Sequence, residues 1–485
     1  MLFNSYSFLI FLPLTFILYW VLRDYLRLQN ALVVFASYIF YGWWDWRFLL
    51  LIAFTSGWSY VVGLLELSGY DNVSLCTWKQ SRGSKVLLTI SLLVNLGILG
   101  YFKYYNFFVD QAIELLNLLG FHPHLASLKV ILPVGISFYT FQALSYTVDV
   151  YSRKILPTRD PIAFFAFISF FPQLVAGPIE RATNLLPQFL NPRKFDYPLA
   201  VEGCQQMLWG FFKKIVVADS CAFAANSMLN HAQASSITLW MGMLCFSFQI
   251  YGDFSGYSDI AIGCSKLFGV KLMRNFAYPY FSRDIAEFWR RWHISLTTWF
   301  RDYLYIPLGG SRCGIWKKVR NTFIIFFVSG FWHGANWTFI AWGVFHAMCF
   351  LPLLTSGKNR KYAADIVAED RLLPSFVELR SIVLTFFLAV VGWTFFRAPT
   401  MSEAFLWLGK MFSFSDLNIA KNNASTILRA LPPILALVVI EWTNRKYEIP
   451  RLPRGRIARW VIYLVVFWVV CWWRSPLQVF IYFQF

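Results

Sequence analysis

Long apolar runs, separated by short polar segments, follow one another along the whole chain. About eleven of them approach the roughly 20 residues that an α-helix needs to cross a bilayer. They lie near residues 3–22, 31–53, 86–108, 131–150, 161–178, 205–229, 237–251, 321–350, 381–397, 427–442 and 458–473. A helix bonds its backbone polar groups internally, as lipid requires. The pattern therefore predicts an all-α polytopic membrane protein, with some spans tilted, re-entrant or split in two.

The longest polar interruption, residues 271–320, carries a pattern of its own. From Ile285 to Tyr305, aromatic and apolar residues recur at three- and four-residue spacing, with Arg and Asp between them. This spacing is typical of an amphipathic helix, and we expect it to lie half-buried at the membrane interface or to re-enter the membrane. The Pro and Gly residues of the following IPLGG end the helix.

The composition agrees with a membrane protein. Hydrophobic residues make up 58% of the chain and charged residues only 14%, whereas a soluble domain has roughly 25% charged residues. The net charge of +18 comes from Lys and Arg that lie between the apolar runs. The excess of basic residues in cytoplasmic loops accounts for most of this charge, so we expect no nucleic acid partner.

Neither the cysteines nor the spacing of the segments suggests further architecture. The eight cysteines are scattered with no CxxC pair, so we expect neither a metal site nor a disulfide framework. No internal repeat, low-complexity tract or long linker divides the sequence. We therefore expect a single transmembrane domain over residues 1–485.

Basic loops orient the chain. Residues 445–459 carry six Arg and Lys side chains between two apolar runs, which places this loop in the cytoplasm. Residues 460–473 then cross outward, and the C-terminus lies on the extracytoplasmic side. The same rule places Lys317, Lys318 and Arg320 on the cytoplasmic side, before the run 321–350.

A histidine within the run 321–350 is the first candidate for chemistry. His333 lies in SGFWHGANW, and an ionisable residue at membrane depth is costly unless it has a function. Gly334 permits close approach of another group, and neighbouring aromatic rings can enclose a dry pocket suited to proton transfer. We count Trp332 and Asn336 as candidate substrate-binding or supporting residues. A histidine packed between helices and bonded to a carbonyl is the alternative.

Two acids in YGDFSGYSD form a second candidate cluster. Asp253 and Asp259 are six residues apart, which does not favour a catalytic carboxylate pair, and Gly252 and Gly256 form a GxxxG that favours close helix packing. Intramembrane acids are usually paired, so we expect Asp253 to support the pocket through salt bridges or hydrogen bonds. The candidate partners are Arg290, Arg291 and Arg301.

A further histidine, His346, lies thirteen residues after His333. At about 100° per residue, the two rings would point nearly apart on a continuous helix. We therefore expect no shared two-histidine or metal site unless the helix breaks between them.

Several long blocks of the sequence resemble the membrane-bound O-acyltransferase (MBOAT) family and, within it, the membrane subunits of bacterial alginate O-acetyltransferases. The resemblance runs from Met1 to about Ala347, with a motif core at about residues 131–350, and returns in the tail at 475–485. The blocks include LPVGISFYTFQALSYTVDVYSR, FFPQLVAGPIERATNLLPQF, FQIYGDFSGYSDIAIG, FWRRWHISLTTWFRDYLYIPLGGSR, FWHGANWTFIAWGVFHA and FIYFQF.

This resemblance implies a helical bundle of the MBOAT type with a central tunnel. It implies transfer of an acetyl group from cytoplasmic acetyl-CoA across the inner membrane for O-acetylation of an extracytoplasmic polysaccharide. The implied partners are a periplasmic SGNH-type transferase and the polymer-synthesis machinery. The polymer is alginate or, alternatively, peptidoglycan, cellulose or another polysaccharide. A transporter without covalent chemistry is the alternative class, and it would not consume acetyl-CoA.

The resemblance also assigns site residues. His333 matches the embedded histidine of the family and is our catalytic base. His293, in WRRWHISL, matches a second motif and has either a chemical or a structural role. Tyr482 matches a C-terminal acceptor motif and would carry the acyl group transiently, with an aromatic membrane anchor as the alternative. The candidates for binding the acetyl-CoA phosphates, or for setting topology alone, are Arg312, Lys317, Lys318 and Arg320.

Overall fold

The computed structural model describes residues 1–67, 82–122, 131–175, 177–229, 234–363, 365–414, 416–418, 421–473 and 480–481. Helices are the only regular secondary structure within these residues. In chain order they are α1 (Tyr6–Val21), α2 (Leu26–Gly42), α3 (Leu49–Leu67), α4 (Arg82–Leu99), α5 (Tyr105–Leu118), α6 (Ile136–Tyr151), α7 (Pro161–Ser169), α8 (Phe171–Leu174), α9 (Ala182–Leu190), α10 (Tyr197–Phe211), α11 (Asp219–Leu229), α12 (Ser236–Leu267), α13 (Ile285–Arg291), α14 (Ile294–Phe300), α15 (Ile315–His333), α16 (Trp337–Thr355), α17 (Phe376–Arg397), α18 (Met401–Ser413), α19 (Lys421–Thr443) and α20 (Arg456–Trp472).

The chain forms two compact units. The first contains Met1–Cys204 and Ala261–Met273, and the second contains Gln205–Ile260 and Arg274–Phe485. Helices α10 and α12 each begin in one unit and end in the other. The single-domain assignment stays a prediction.

Buried polar side chains of the first unit bond to one another. The Arg193 guanidinium donates to Gln29 Oε1 at 2.8 Å and to Asn30 Oδ1 at 2.5 Å. Its cation also lies over the rings of Tyr19 and Phe189. Because an unpaired buried charge is costly, this network ties α1 and α2 to the segment after α9.

Five helical segments of the described residues are long and apolar enough to cross a membrane. They are Trp46–Glu66, Gly83–Leu118, Trp337–Thr355, Phe376–Arg397 and Asn423–Thr443. The prediction of several apolar spanning helices is confirmed, but the eleven runs do not correspond one to one with straight helices.

Some predicted runs are divided because local sequence breaks the helix. The run 161–178 contains α7 and the four-residue α8, with Pro172 in the first turn of α8. The run 205–229 contains the end of α10 and the whole of α11, joined by a π-helical segment, Phe212–Ala218. A π segment shifts the helical register, and such segments are frequent at functional sites.

The run 321–350 is also divided between two helices, α15 and α16. The Asn336 side chain accepts a hydrogen bond from Thr338 N at 3.1 Å and thereby caps α16. Helices α15 and α16 then pack closely, because a Cβ at Gly343 would lie only 2.2 Å from Phe326 O. The assumption of one continuous helix from His333 to His346 is therefore wrong.

The predicted amphipathic helix over 285–305 is broken as well. Its residues form α13, α14 and a π segment, Arg301–Tyr305. The break falls at His293, whose φ of 44° lies in the left-handed region. The preceding loop supplies the lost backbone bonds, since Ile294 N donates to Asn275 O at 2.8 Å and Ala277 N donates to Arg291 O at 3.0 Å.

Candidate functional site

His333 ends α15 inside a cluster of aromatic rings. Its side chain is buried, and ring centroids lie 5.1 Å away at Trp342, 5.3 Å at Phe396 and 4.9 Å at Trp332. Gly334 follows directly, and a Cβ there would lie 2.1 Å from Phe339 Cε2. Packing therefore requires glycine at position 334, because any side chain there would collide with the Phe339 ring.

His293 lies at the break between α13 and α14, where Asn275 holds its ring. His293 Nδ1 is 3.1 Å from Asn275 Oδ1, which also accepts from Ser295 Oγ at 2.9 Å and from Ser295 N at 3.3 Å. The Ser295 backbone N–H can only donate, which fixes the orientation of the amide with Oδ1 towards it, and Asn275 Nδ2 then donates to Ser258 Oγ at 3.0 Å. Because Oδ1 can only accept, Nδ1 of His293 carries the proton in the neutral ring.

The consequence is a free lone pair on the other ring nitrogen. Nε2 of His293 is buried and has no hydrogen-bond partner among the described residues. Burial among aromatic rings favours the neutral imidazole over the charged form; Phe254 lies 4.5 Å away edge to face. His293 therefore presents an acceptor nitrogen in a dry environment.

The two predicted histidines line the same cavity. It has a volume of about 50 Å³, enough for a few water-sized positions. Trp332 connects the two rings, since its centroid lies 6.1 Å from that of His293 and 4.9 Å from that of His333. The lining residues are Trp289, Trp292, His293, Leu296, Thr297, Phe300, Ile325, Phe326, Ser329 and His333. Two imidazoles at one small apolar cavity can move a proton while excluding bulk water.

His346 lies near this cavity but does not line it. The break between α15 and α16 brings His333 and His346 to the same Trp342 ring, at centroid distances of 5.1 and 5.2 Å. The expectation that the two rings point apart assumed one continuous helix, and the break shows that this assumption was wrong. His346 is fully buried, and within the described part of the chain neither ring nitrogen has a hydrogen-bond partner.

The two acids of α12 pair with lysines, not with the arginines that we expected. Lys214 Nζ lies 2.8 Å from Asp253 Oδ1, and Lys213 Nζ lies 2.5 Å from Asp259 Oδ2. Both lysines belong to the π segment 212–218. Lys214 also contacts Asp219 Oδ1 at 2.8 Å.

Close helix packing around these acids is confirmed. A Cβ at Gly256 would lie 2.8 Å from Gly210 O, and one at Gly252 would lie 3.0 Å from Lys213 O. The GxxxG of α12 therefore admits the backbone that carries the lysines, so the packing and the ion pairs depend on each other.

Arg290, Arg291 and Arg301 have other partners. Arg290 Nη1 donates to Asn359 O at 2.7 Å. Arg291 binds Glu287, and Arg301 pairs with Asp302, its neighbour in the chain. None of the three lines the cavity, so the supporting roles predicted for Arg290 and Arg291 find no contact there.

The remaining predicted residues lie in different places. Trp332 is buried between the two histidines, whereas Asn336 caps α16 and donates to Pro399 O at 3.0 Å. The predicted phosphate ligands surround the beginning of α15, and all except the half-buried Lys318 are exposed. They are Arg312, Lys317, Lys318 and Arg320.

Phe480 and Ile481 pack against α12 within the second unit. Both are buried, and Ile481 N donates to Asp253 Oδ2 at 2.8 Å. The Phe480 ring lies 4.2 Å from Tyr257 and 6.3 Å from Phe254. Tyr482 lies outside the described residues.

Sequence reasoning missed Asn275 and the lysine pair. The signal for the lysines was available: GFFKKIVVAD places two cations and an acid in an apolar run, where each needs a partner. Asn275 gave no comparable signal, because its role depends on a contact across 18 residues of sequence.

The all-helical fold of the described residues agrees with what sequence comparison shows. The sequence matches the membrane-bound O-acyltransferase family over residues 87–361. The chain belongs to this family and is a membrane-embedded acyltransferase. The family predicted from the sequence blocks is therefore confirmed.

The chain is similar in sequence to enzymes named for three different polymers: alginate, peptidoglycan and teichoic acid. It is 39% identical to the probable alginate O-acetylase of Pseudomonas aeruginosa over 444 residues, 91% of this chain and 81% of the relative. It is 34% identical to the peptidoglycan O-acetyltransferase of Helicobacter pylori over 450 residues, 86% and 81% of the two chains. It is 29% identical to the teichoic acid D-alanyltransferase of Bacillus subtilis over 294 residues, 56% and 71% of the two chains.

Proposed function

We propose that this protein takes an acetyl group from cytoplasmic acetyl-CoA and delivers it across the inner membrane for O-acetylation of an extracytoplasmic polysaccharide. The observation that carries the proposal is the cavity of about 50 Å³ lined by both His293 and His333. Its size suits a small acyl group, and its aromatic walls exclude the water that would hydrolyse a thioester.

His333 is the proposed general base. It accepts the proton of the attacking hydroxyl while the hydroxyl oxygen bonds to the acetyl carbonyl carbon. The carbon–sulfur bond then breaks, and the leaving CoA thiolate takes the proton from His333. The products are an O-acetyl ester and CoA with a free thiol, so the histidine returns to its starting state.

His293 is the proposed second member of the site. Before the hydroxyl donates its single hydrogen to His333, it can donate it to Nε2 of His293, which has no partner among the described residues and so can hold the acceptor at the cavity; Asn275 keeps the His293 ring in the required tautomer. A purely structural role, holding α13 and α14 at the break, is the competing proposal.

Tyr482 is the proposed first acceptor of the acetyl group. Its phenolic hydroxyl becomes a nucleophile once a base removes the proton, and the resulting phenyl ester is a good donor to a second enzyme. Support comes from the preceding residues: Phe480 contacts Phe254, which in turn contacts His293.

The proposed route fixes the orientation. The basic residues at the beginning of α15 would face the cytoplasm and bind the acetyl-CoA phosphates, and the C-terminus would lie on the extracytoplasmic side. The predicted tunnel would connect both sides to the cavity. A periplasmic SGNH-type transferase would then move the acetyl group from Tyr482 to the polymer as it leaves the synthesis machinery.

Alginate is the proposed polymer, because a probable alginate O-acetylase is 39% identical over 91% of the chain. Peptidoglycan is the second candidate, favoured by the 34% identity to a peptidoglycan O-acetyltransferase. Ester-linked acetate in exopolysaccharide and in purified peptidoglycan, measured with and without the gene, separates the two.

The carrier role is tested with Tyr482→Phe, which keeps the ring and removes only the hydroxyl. We expect polymer acetylation to be lost, because a phenylalanine cannot form the ester. Acetate is measured on the polymer, and the C-terminal peptide of the unaltered protein is examined by mass spectrometry after incubation with acetyl-CoA.

The matched control is Tyr6→Phe, which removes the hydroxyl of a tyrosine that is 88% exposed in the first unit. Normal acetylation in the Tyr482→Phe protein, or absence of a 42 Da adduct (roughly one acetyl group) from the C-terminal peptide, would show that the tail is an anchor and not a carrier.

A further inference from the structure

We propose that Asp253 is a positioning residue: with Lys214 it forms a dock for the C-terminal segment, which it holds by the backbone N–H of Ile481. The dock is a feature of the described residues. Its consequence for acetyl transfer rests on the proposed carrier role of Tyr482.

The charge of the cluster explains why it binds a backbone N–H. Asp219 and Asp253 share one ammonium group, that of Lys214, and all three side chains are buried. Two carboxyl groups share a single ammonium, so the cluster has more acceptor oxygens than Lys214 can satisfy, and buried acceptors are costly unless other donors bind them. Ile481 N supplies a donor to Asp253 Oδ2 at 2.8 Å.

Comparison with the second acid of α12 supports this interpretation. Asp259 contacts Lys213 through one oxygen and accepts from the side-chain amide of Gln206, at 2.9 Å, through the other. Asp253 contacts Lys214 through one oxygen, and its other oxygen accepts from Ile481. The two sites have the same chemistry, but at Asp253 the amide comes from the tail.

Aromatic contacts fix the depth of the tail in this dock. The Phe480 ring packs 4.2 Å from Tyr257, one turn of α12 after Asp253. It also lies 6.3 Å from Phe254, whose other neighbour is His293 at 4.5 Å. A hydrogen bond to the backbone holds the segment at Ile481 independently of its side chain, so Asp253 can position the segment whatever side chain residue 481 carries.

A second anchor lies on the other side of the residues 474–479. Trp473 Nε1 donates to Ser220 Oγ at 2.7 Å. Ser220 follows Asp219, which belongs to the same ion cluster. Ile481 therefore contacts the ion cluster directly, and Trp473 contacts the residue next to Asp219.

The dock is tested without reference to activity by amide hydrogen exchange on the full chain in lipid nanodiscs. In Asp253→Ala we expect the Ile481 amide to exchange at least about tenfold faster, because a hydrogen bond to a carboxylate is lost. The matched control is Asp259→Ala, which removes the equivalent acid but no contact to the tail. Unchanged exchange at Ile481 in Asp253→Ala overturns the proposal.

A second pair of variants avoids altering the buried ion cluster. Ile481→Pro removes the N–H, whereas Ile481→Val keeps the N–H and most of the buried side chain. Under saturating acetyl-CoA we expect Ile481→Pro to lower the turnover of polymer acetylation at least about tenfold, with KM for acetyl-CoA unchanged, and Ile481→Val to remain near the unaltered protein. Equal turnover in the two variants overturns the positioning role.

The two proposals fail in different ways. If Tyr482→Phe acetylates normally while Asp253→Ala still accelerates exchange at Ile481, the carrier role is wrong and the dock stands. If Tyr482→Phe is inactive while exchange at Ile481 is unchanged in Asp253→Ala, the carrier role stands and the dock is wrong.

Discussion

Two histidines of the second unit, His293 and His346, lie among aromatic rings in contrasting environments. His293 and His346 are both buried, and both lie against rings of α13 or its neighbours. In His293, Nδ1 contacts Asn275 and Nε2 has no partner among the described residues. His293 also lines a cavity together with His333. At His346, neither nitrogen is bonded within the described residues, and the ring is closed in by Trp289 and Trp342.

Both histidines are buried, so burial alone does not distinguish the histidine that we propose takes part in the chemistry. A histidine that holds a substrate hydroxyl through a ring nitrogen needs a defined tautomer and a position at a cavity. His293 has a fixed tautomer and lines the cavity, whereas His346 fills space between rings and against Gly392, where a Cβ would lie 2.6 Å from Nε2 of His346. The following variants test this distinction, beginning with the largest expected effect.

We expect His333→Ala to abolish acetylation, with a loss of about 10²-fold or more, because the proposed base is removed. The variant should still insert and fold, since His333 ends its helix. Polymer acetate is measured in cells that contain equal amounts of each protein, and near-normal acetate would contradict the assignment.

His293 requires two variants, because its chemical and structural roles predict different results. His293→Ala should lower turnover by about 10- to 100-fold. His293→Asn can keep the donor to Asn275 and tolerates the left-handed backbone, yet it lacks Nε2. We expect the Asn variant to be as impaired as the Ala variant when turnover is measured in proteoliposomes.

Recovery of turnover by His293→Asn would instead identify a structural role. Thermal unfolding of both proteins serves as the control, since a structural defect should lower the unfolding temperature of His293→Ala and spare that of His293→Asn.

The smallest effect is expected from His346→Leu. Leucine has a similar volume and no polar atoms, so it removes two buried nitrogens without leaving a cavity. Turnover should change by less than about twofold, and stability by no more than about 1 kcal/mol. A variant as inactive as His333→Ala would place His346 in the chemistry and show that a histidine without a fixed tautomer can act there.

Much of the fold followed from local pattern, and its breaks did not. Apolar runs predicted spanning helices, five of which the described residues contain. The division of 321–350 into α15 and α16 was missed, although Gly334 and the capping Asn336 lie at the break. Apolar periodicity continues through such a break, because both helices bury the same kind of side chain.

The candidate site was predicted in part for a similar reason. His333 and His293 were identified from embedded or motif positions, and the structure brings them to one cavity. The partners of Asp253 were assigned to nearby arginines, but Lys214 and the N–H of Ile481 occupy those positions. Charge in a sequence indicates that a partner is needed without indicating which one, since pairing is decided by packing across distant segments.

The sequence by itself determined that the protein lies in a membrane, which family it belongs to and which ionisable residues lie within apolar runs. Each of these depends on composition or on short contiguous blocks. Only the tertiary structure decided which nitrogen of His293 is protonated, which histidine lines the cavity, and where the tail meets α12. These depend on Asn275, Trp332 and Asp253 contacting residues far away in the chain. A hydrogen bond or ring contact of that kind has no local sequence signature, because its geometry exists only after the helices pack.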